Sequence, residues 1–409
     1  MRAPGPLASP LPFFYSLEMN KQSSTGALAL RERTIDPLDG IGRRRVVLKL
    51  GSRLLTGGAK RLDPERLASV ARAIAAAPGQ EAVIVSSGAV AAGFDALGLD
   101  APPTRIEERQ AAAAVGQGRL MKMWADAFQE VDRTVAQVLL TNDCLTDRKR
   151  YNAARGAMRA LLRAGIVPIV NENDTVSVEE IVVGDNDNLA AMTAALVDAD
   201  LLALLTDVPG VLTADPEQDP TAQLVERAGS AEELRSLCFA KKAIESTGGM
   251  VTKLEAAERA GRFGIPTVIA DGTDASALAA VVSGRAAGTF IEADDEPLPA
   301  RRHWMAVQKG LSGYLVVDDG AVRAIRGRAS LLPSGIVGVG GRFRRGDLVS
   351  VVDGAGTEHA RGIVRFDDRE VDRIRGLHTA AVRATLGVEH GHVVMRPDRM
   401  VLSREGASK

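Results

Sequence analysis

The stretches Val46-Val47-Leu48-Lys49-Leu50-Gly51-Ser52 and Ala82-Val83-Ile84-Val85-Ser86-Ser87-Gly88-Ala89 decide how this sequence is read. Each is a short aliphatic run that stops at Gly and Ser, the signature of a buried strand ending in a loop. Between them, Pro64 to Ala77 carries apolar residues at helical spacing. The alternation continues with helix Ile106 to Val131, strand Val135 to Leu140, helix Asn152 to Ala164 and strand Ile166 to Val170. Helix Asn188 to Val197, strand Leu201 to Leu205, helix Met250 to Phe263 and strand Thr267 to Ile269 follow. Continuous apolar strands separated by amphipathic helices predict an α/β fold, a mainly parallel sheet covered on both faces as a three-layer sandwich. Asn171 to Val183 breaks the pattern and reads as a hairpin insertion over one edge.

The text changes near Asp294-Asp295-Glu296-Pro297-Leu298-Pro299. Beyond it, short apolar runs at Tyr314 to Val317, Ile336 to Val339 and Leu348 to Val352 are punctuated by Gly, which predicts a small β-rich, barrel-like domain. Residues 298–409 hold 19 Lys and Arg against 12 Asp and Glu, a net +7, although the whole chain is at −1. The expected organisation is a leader without stable structure over 1–42 (Met19 being a candidate start), a first domain over 43–293 and a linker over 294–299. A second domain over 300–396 and a tail over 397–409 complete it.

Composition excludes several classes. The two cysteines, Cys144 and Cys238, are far apart, so neither a disulfide scaffold nor a Cys-based zinc site is available. All five histidines lie beyond residue 300, so no histidine base or ligand can come from the first domain. No apolar stretch approaches the ~18 residues of a membrane helix, and the N-terminus is a poor signal peptide. A cytoplasmic protein is the expectation.

In doubly wound sheets ligands gather at the carboxyl ends of the strands. Those ends carry Lys49, Gly51 and Ser52, then Ser86 to Ala89, then Asn171-Glu172-Asn173-Asp174, then Thr206-Asp207. A lysine directly after an apolar strand reads either as a snorkelling surface cation or as a fixed charge for phosphate oxygens. Neither a G-x-x-x-x-G-K-[ST] loop nor a G-x-G-x-x-G opening a helix after a strand is present, so P-loop and dinucleotide folds are excluded. Thr247-Gly248-Gly249-Met250-Val251-Thr252-Lys253 is a Gly-rich approach to a helix, where main-chain N–H groups and the helix dipole suit an anion. Gly184-Asp185-Asn186-Asp187-Asn188 precedes another helix and suits capping, Mg²⁺ coordination or hydrogen bonding to an ammonium group.

These loops, in this order, closely resemble the glutamate 5-kinases of the amino acid kinase superfamily. Ser330-Leu331-Leu332-Pro333-Ser334-Gly335-Ile336 and Phe343-Arg344-Arg345-Gly346-Asp347 resemble the PUA domain that follows many bacterial members. The resemblance spans about residues 44–395; Ser246 departs from it, where the family usually has Gly. It implies that Lys49 and Lys253 contact the phosphates and transferred group, and that Ser87, Asp174 and Asn186 bind glutamate. It implies that Thr206, Asp207 and Thr247, Gly248, Gly249, Met250, Val251, Thr252 and Lys253 line the nucleotide site. Asp187 and Asp185 would act through Mg²⁺ organisation or the substrate ammonium, and no protein metal ligand is assigned.

The reaction so implied is ATP-dependent phosphorylation of the 5-carboxylate of L-glutamate, the entry to proline synthesis, with Mg²⁺ as cofactor. Feedback inhibition by proline and a tetramer or dimer are further implications. The nearest rivals act on N-acetylglutamate, aspartate or uridylate; the acidic, amide-rich loops favour a free amino acid. A rival of another class is RNA binding led by the basic second domain, whose Arg342, Arg344 and Arg345 permit phosphate contacts.

Overall fold

The computed structural model describes residues 45–141, 144–145, 147–176, 185–216, 219–237, 249–285, 287–294, 305–306, 308, 311–386 and 392–403. The expected leader, most of the expected linker, Ser246, Thr247 and Gly248 therefore lie outside the described residues, as does the second half of the expected insertion.

Among the described residues eight strands form the first sheet: β1 (Arg45–Leu50), β2 (Glu81–Ser86), β3 (Val135–Leu140), β4 (Val167–Glu172), β5 (Leu201–Thr206), β6 (Arg227–Ala228), β7 (Thr267–Asp271) and β8 (Thr289–Ile291). Their order is β3-β4-β2-β1-β5-β7-β8-β6. The first six positions run parallel; β8 lies antiparallel to β7, and β6 parallel to β8. The chain leaves β1 for β2 on one side and later returns to β5 on the other. The carboxyl ends of β1, β2 and β5 therefore flank a topological switch point, where such sheets open a crevice for ligands.

The described residues include the helices α1 (Ser52–Thr56), α2 (Pro64–Ala75), α3 (Ala89–Gly93), α4 (Ile106–Gln129), α5 (Arg148–Arg163), α6 (Asp185–Val197), α7 (Ala231–Arg235), α8 (Met250–Arg262) and α9 (Ala275–Val282) around this sheet. Side chains alternate across a strand, so β1 feeds two cores. Val46, Leu48 and Leu50 pack with Leu67 of α2, Trp124 and Phe128 of α4 and Leu278 of α9. Val47 faces the other way, with Met158 of α5, Leu196 of α6 and Leu254 of α8. Full burial of one such Leu contributes about 1.5–3 kcal/mol. The same alternation puts Lys49 on the face covered by α6 and α8. A run without polar faces explains α6, in which every residue from Leu189 to Val197 is buried.

Two glycines set the distance between α3 and α4. A Cβ added at Gly116 would lie 1.8 Å from the Ala89 carbonyl oxygen, and one at Gly93 would lie 2.0 Å from that of Ala112. The loop carrying Ser87 and the middle of α4 are thus in backbone contact.

The second domain contains β9 (Gly313–Val317), β10 (Ile336–Gly341), β11 (Leu348–Val352), β12 (Glu358–Ile363) and β13 (Met400–Leu402), in the order β10-β9-β11-β12-β13. Helices α10 (Asp319–Arg326), α11 (Asp368–Ile374) and α12 (Thr379–Leu386) complete it. Leu315, Ile325, Phe343, Val351, Phe366 and Ile374 form its core. Within the expected tail, Met400, Val401 and Leu402 pair with β12 and close the sheet edge. Met400 and Val401 are buried, which is why three residues suffice for a strand here. Among the described residues no helix is long and apolar enough to cross a membrane.

Candidate active site

Lys49, the penultimate residue of β1, lies opposite Val85 of β2 and Leu204 of β5, and only 5% of it is exposed. It does not snorkel. Its Nζ lies 2.6 Å from Oδ1 of Asp187, on the first turn of α6. Lys253, on the first turn of α8, is equally buried and places its Nζ 3.5 Å from the other carboxylate oxygen, Oδ2. The Thr252 hydroxyl donates to the same Oδ2 at 2.8 Å. Three segments far apart in sequence thus meet at one fully buried carboxylate. Two ammonium groups on one carboxylate leave the trio at a formal +1, an arrangement that suits an arriving anion.

The electrostatics follow from this geometry. Burial pushes the Asp187 carboxyl up, but the Lys49 and Lys253 charges and the hydrogen bonds to Lys49 and Thr252 outweigh it. The group is held below its ordinary value and stays ionised at neutral pH. Burial lowers the Lys253 ammonium below its ordinary 10.5; Asp187 opposes that shift, Lys49 adds to it, and Asp207 opposes it from further out. Asp207 follows β5, accepts a hydrogen bond from the Thr206 hydroxyl at 3.2 Å and pairs with Arg53 of α1 at 3.3 Å.

A second cluster sits at the ends of β2 and β4. The Asn186 amide, from the start of α6, donates to Ser87 Oγ at 2.7 Å and to Asn171 Oδ1 at 3.3 Å. Asn171 Nδ2 in turn donates to Oε1 of Gln117, on α4, at 2.8 Å. Behind Ser87, the Trp124 indole donates to Ser86 Oγ at 3.1 Å, and Ser86 donates to the Ser87 carbonyl at 3.0 Å. Asp174 is half-buried in the turn that follows β4.

Of the residues expected from the sequence, Lys49, Lys253, Asp187 and Thr252 converge on one cluster, and Ser87 with Asn186 on the other. Asp187 and Asn186 are neighbours on α6, so the two clusters adjoin. Gly249 caps α8, Met250 packs against the core beneath it, and Val251 points outward with 53% exposure. The side chain of Asp185 lies outside the described residues. Lys49, Lys253 and the Thr252 hydroxyl all lie against the Asp187 carboxylate oxygens. Among the described residues no group of three or more His, Cys, Asp or Glu is arranged to hold a metal ion. Gln117 was not expected, although a signal existed: it lies on the buried stripe Ala113, Leu120 and Trp124 of α4, where an amide has no packing reason to be.

A model of the amino acid kinase family matches residues 44–271, and a PUA domain model matches residues 313–386. The glutamate 5-kinase of Citrifermentans bemidjiense is 45% identical over 364 residues, which cover 88% of this chain and 97% of that protein. The glutamate 5-kinase of Syntrophotalea carbinolica is 42% identical over 367 residues, covering 88% and 98%. With more than 40% identity over nearly the whole length of both relatives, the chain belongs to the glutamate 5-kinase family, an amino acid kinase domain followed by a PUA domain.

Proposed function

We infer that this chain transfers the γ-phosphoryl group of ATP to the 5-carboxylate of L-glutamate, giving ADP and L-glutamyl 5-phosphate for proline synthesis. The observation that carries the mechanism is the pairing of Lys49 and Lys253 across one buried carboxylate. A side-chain carboxylate with an ordinary pKa of about 4.3 is already ionised at neutral pH, so the reaction needs no general base. The barrier is repulsion between an anionic nucleophile and a triphosphate, and fixed positive charge is the remedy. Lys49 and Lys253 neutralise the transferring group, while Asp187 holds both ammonium groups in place without cancelling their combined charge.

The remaining roles are those that the resemblance implies. Ser87, Asp174 and Asn186 bind glutamate beside the Lys49 end of the crevice. Thr206, Asp207 and the segment Thr247 to Lys253 line the nucleotide site, with the α8 N-terminus toward the phosphates. Mg²⁺ would come with the nucleotide, as the MgATP chelate.

A hydroxamate assay with MgATP tests the substrate assignment. Turnover of glutamate is expected, with N-acetylglutamate and aspartate poor; turnover of N-acetylglutamate without glutamate would contradict it. Asp174→Ala should raise the KM for glutamate about tenfold or more, the size of a lost charge-assisted hydrogen bond, with the KM for ATP nearly unchanged. An unchanged glutamate KM removes Asp174 from the substrate site.

The lowered Lys253 value has a kinetic consequence of definite sign. A base whose pKa is depressed loses its proton earlier as pH rises, so kcat/KM for MgATP should fall on the alkaline side below the ordinary lysine value of 10.5. Lys253→Arg, with a guanidinium that stays protonated, should move that limb upward. A limb in the same place in both proteins would assign the titration elsewhere.

A further inference from the structure

Gln117 is a buried amide in the backing helix α4, 9% exposed; its Oε1 is committed to Asn171 and its Nε2 is buried without a partner. An amide carries two donor hydrogens on nitrogen and an acceptor oxygen, so each committed end decides what the other end offers. With Gln117 Oε1 accepting from Asn171 Nδ2, the Asn171 oxygen is turned toward Asn186 and accepts from its Nδ2. The second Nδ2 hydrogen of Asn186 goes to Ser87 Oγ. Both donors of Asn186 are then spent, and its Oδ1 is buried with no partner. Ser87 Oγ, being an acceptor there, keeps its own O–H to donate. The cluster therefore presents a lone acceptor beside a hydroxyl donor, complementary to the ammonium and carboxylate of an α-amino acid. A buried acceptor without a partner costs about 1–3 kcal/mol until a donor fills it, which gives the arrangement discriminating power.

We propose that Gln117 is a positioning residue which, through Asn171, fixes the Asn186 amide with its oxygen free and so sets the preference for an acid that carries an ammonium group. The inference rests on the proposed reaction and deepens it. The close contact of Gly116 with the Ala89 carbonyl is what brings Gln117 within reach of the site.

The test compares kcat/KM for glutamate with that for glutarate, the same five-carbon diacid without the amino group. Their ratio cancels the fraction of folded enzyme, so it remains readable in a poorly folding variant. In Gln117→Leu the ratio should fall by about tenfold or more, the equivalent of one charge-assisted hydrogen bond. Gln117→Glu, whose carboxylate can only accept, keeps the direction of the relay and should retain the wild-type ratio. A Gln117→Leu ratio within twofold of wild type, or a Gln117→Glu ratio as low as that of Gln117→Leu, overturns the proposal. Wild-type protein that phosphorylates neither acid would instead defeat the reaction itself, a distinguishable failure.

Discussion

Lys49→Met and Lys253→Met should each lower kcat by about 10²–10³, the usual result of removing one donor aimed at charge that develops in the transition state. Both variants should fold, because Asp187 keeps one ammonium partner and the Thr252 hydroxyl in either case. The effect should fall on kcat more than on the KM for glutamate, since the two charges act on the transferring group. Steady-state kinetics beside a thermal melt decides the matter. Near-normal kcat in a folded variant removes that lysine from the reaction. Asp187→Ala makes a useful contrast: it leaves two ammonium groups facing each other without a counter-charge, so it should lower stability as well as rate.

Gly116→Ala should be strongly destabilising. Its Cβ would meet the Ala89 carbonyl oxygen at 1.8 Å, a backbone atom that cannot swing aside. Overpacking of side chains costs about 1–3 kcal/mol, and a backbone collision should exceed that range. Separation of α3 from α4 would also pull the Ser87 loop away from Gln117, so glutamate binding should weaken in whatever protein still folds. Gly118→Ala, two positions further along, is the control. Nothing lies within 4 Å of the Cβ it would add, and it should be neutral or stabilise by up to about 1 kcal/mol. Urea unfolding of the pair measures both; equal midpoints would show that the α3–α4 contact has no special tightness.

The central strands were legible because they are buried on both faces. β1, β2, β4 and β5 read as apolar runs, helical periodicity between them marks α2, α4, α5 and α8, and the apolar run of α6 marks a buried helix. The edge was not legible. β6 has two residues and β8 three, too few to carry a period, and β8 reverses direction against β7. β13 was missed for the same reason: its three residues become a strand only by pairing with β12.

In the site, residue types were readable and partnerships were not. Lys49 could as well have been a surface cation until the sheet brought α6 across it. Asn186 and Ser87 stand 99 residues apart, and only the return of the chain to β5 on the far side of β1 closes that distance. Gln117 shows the reverse case. An amide on an apolar stripe is visible in the sequence, but what it orients depends on the rotation of two further amides. Neither rotation is encoded locally.

The most direct measurement of the central claim is calorimetric binding of MgADP in the presence of glutamate, with and without aluminium fluoride, a mimic of the transferring phosphoryl group. In the wild-type protein the fluoride should tighten binding by about 10² or more, as transition-state analogues do. Lys49→Met and Lys253→Met should each lose most of that gain while binding MgADP alone nearly as before. Equal tightening in wild type and in both variants would contradict the convergence of the two lysines on the transferred group.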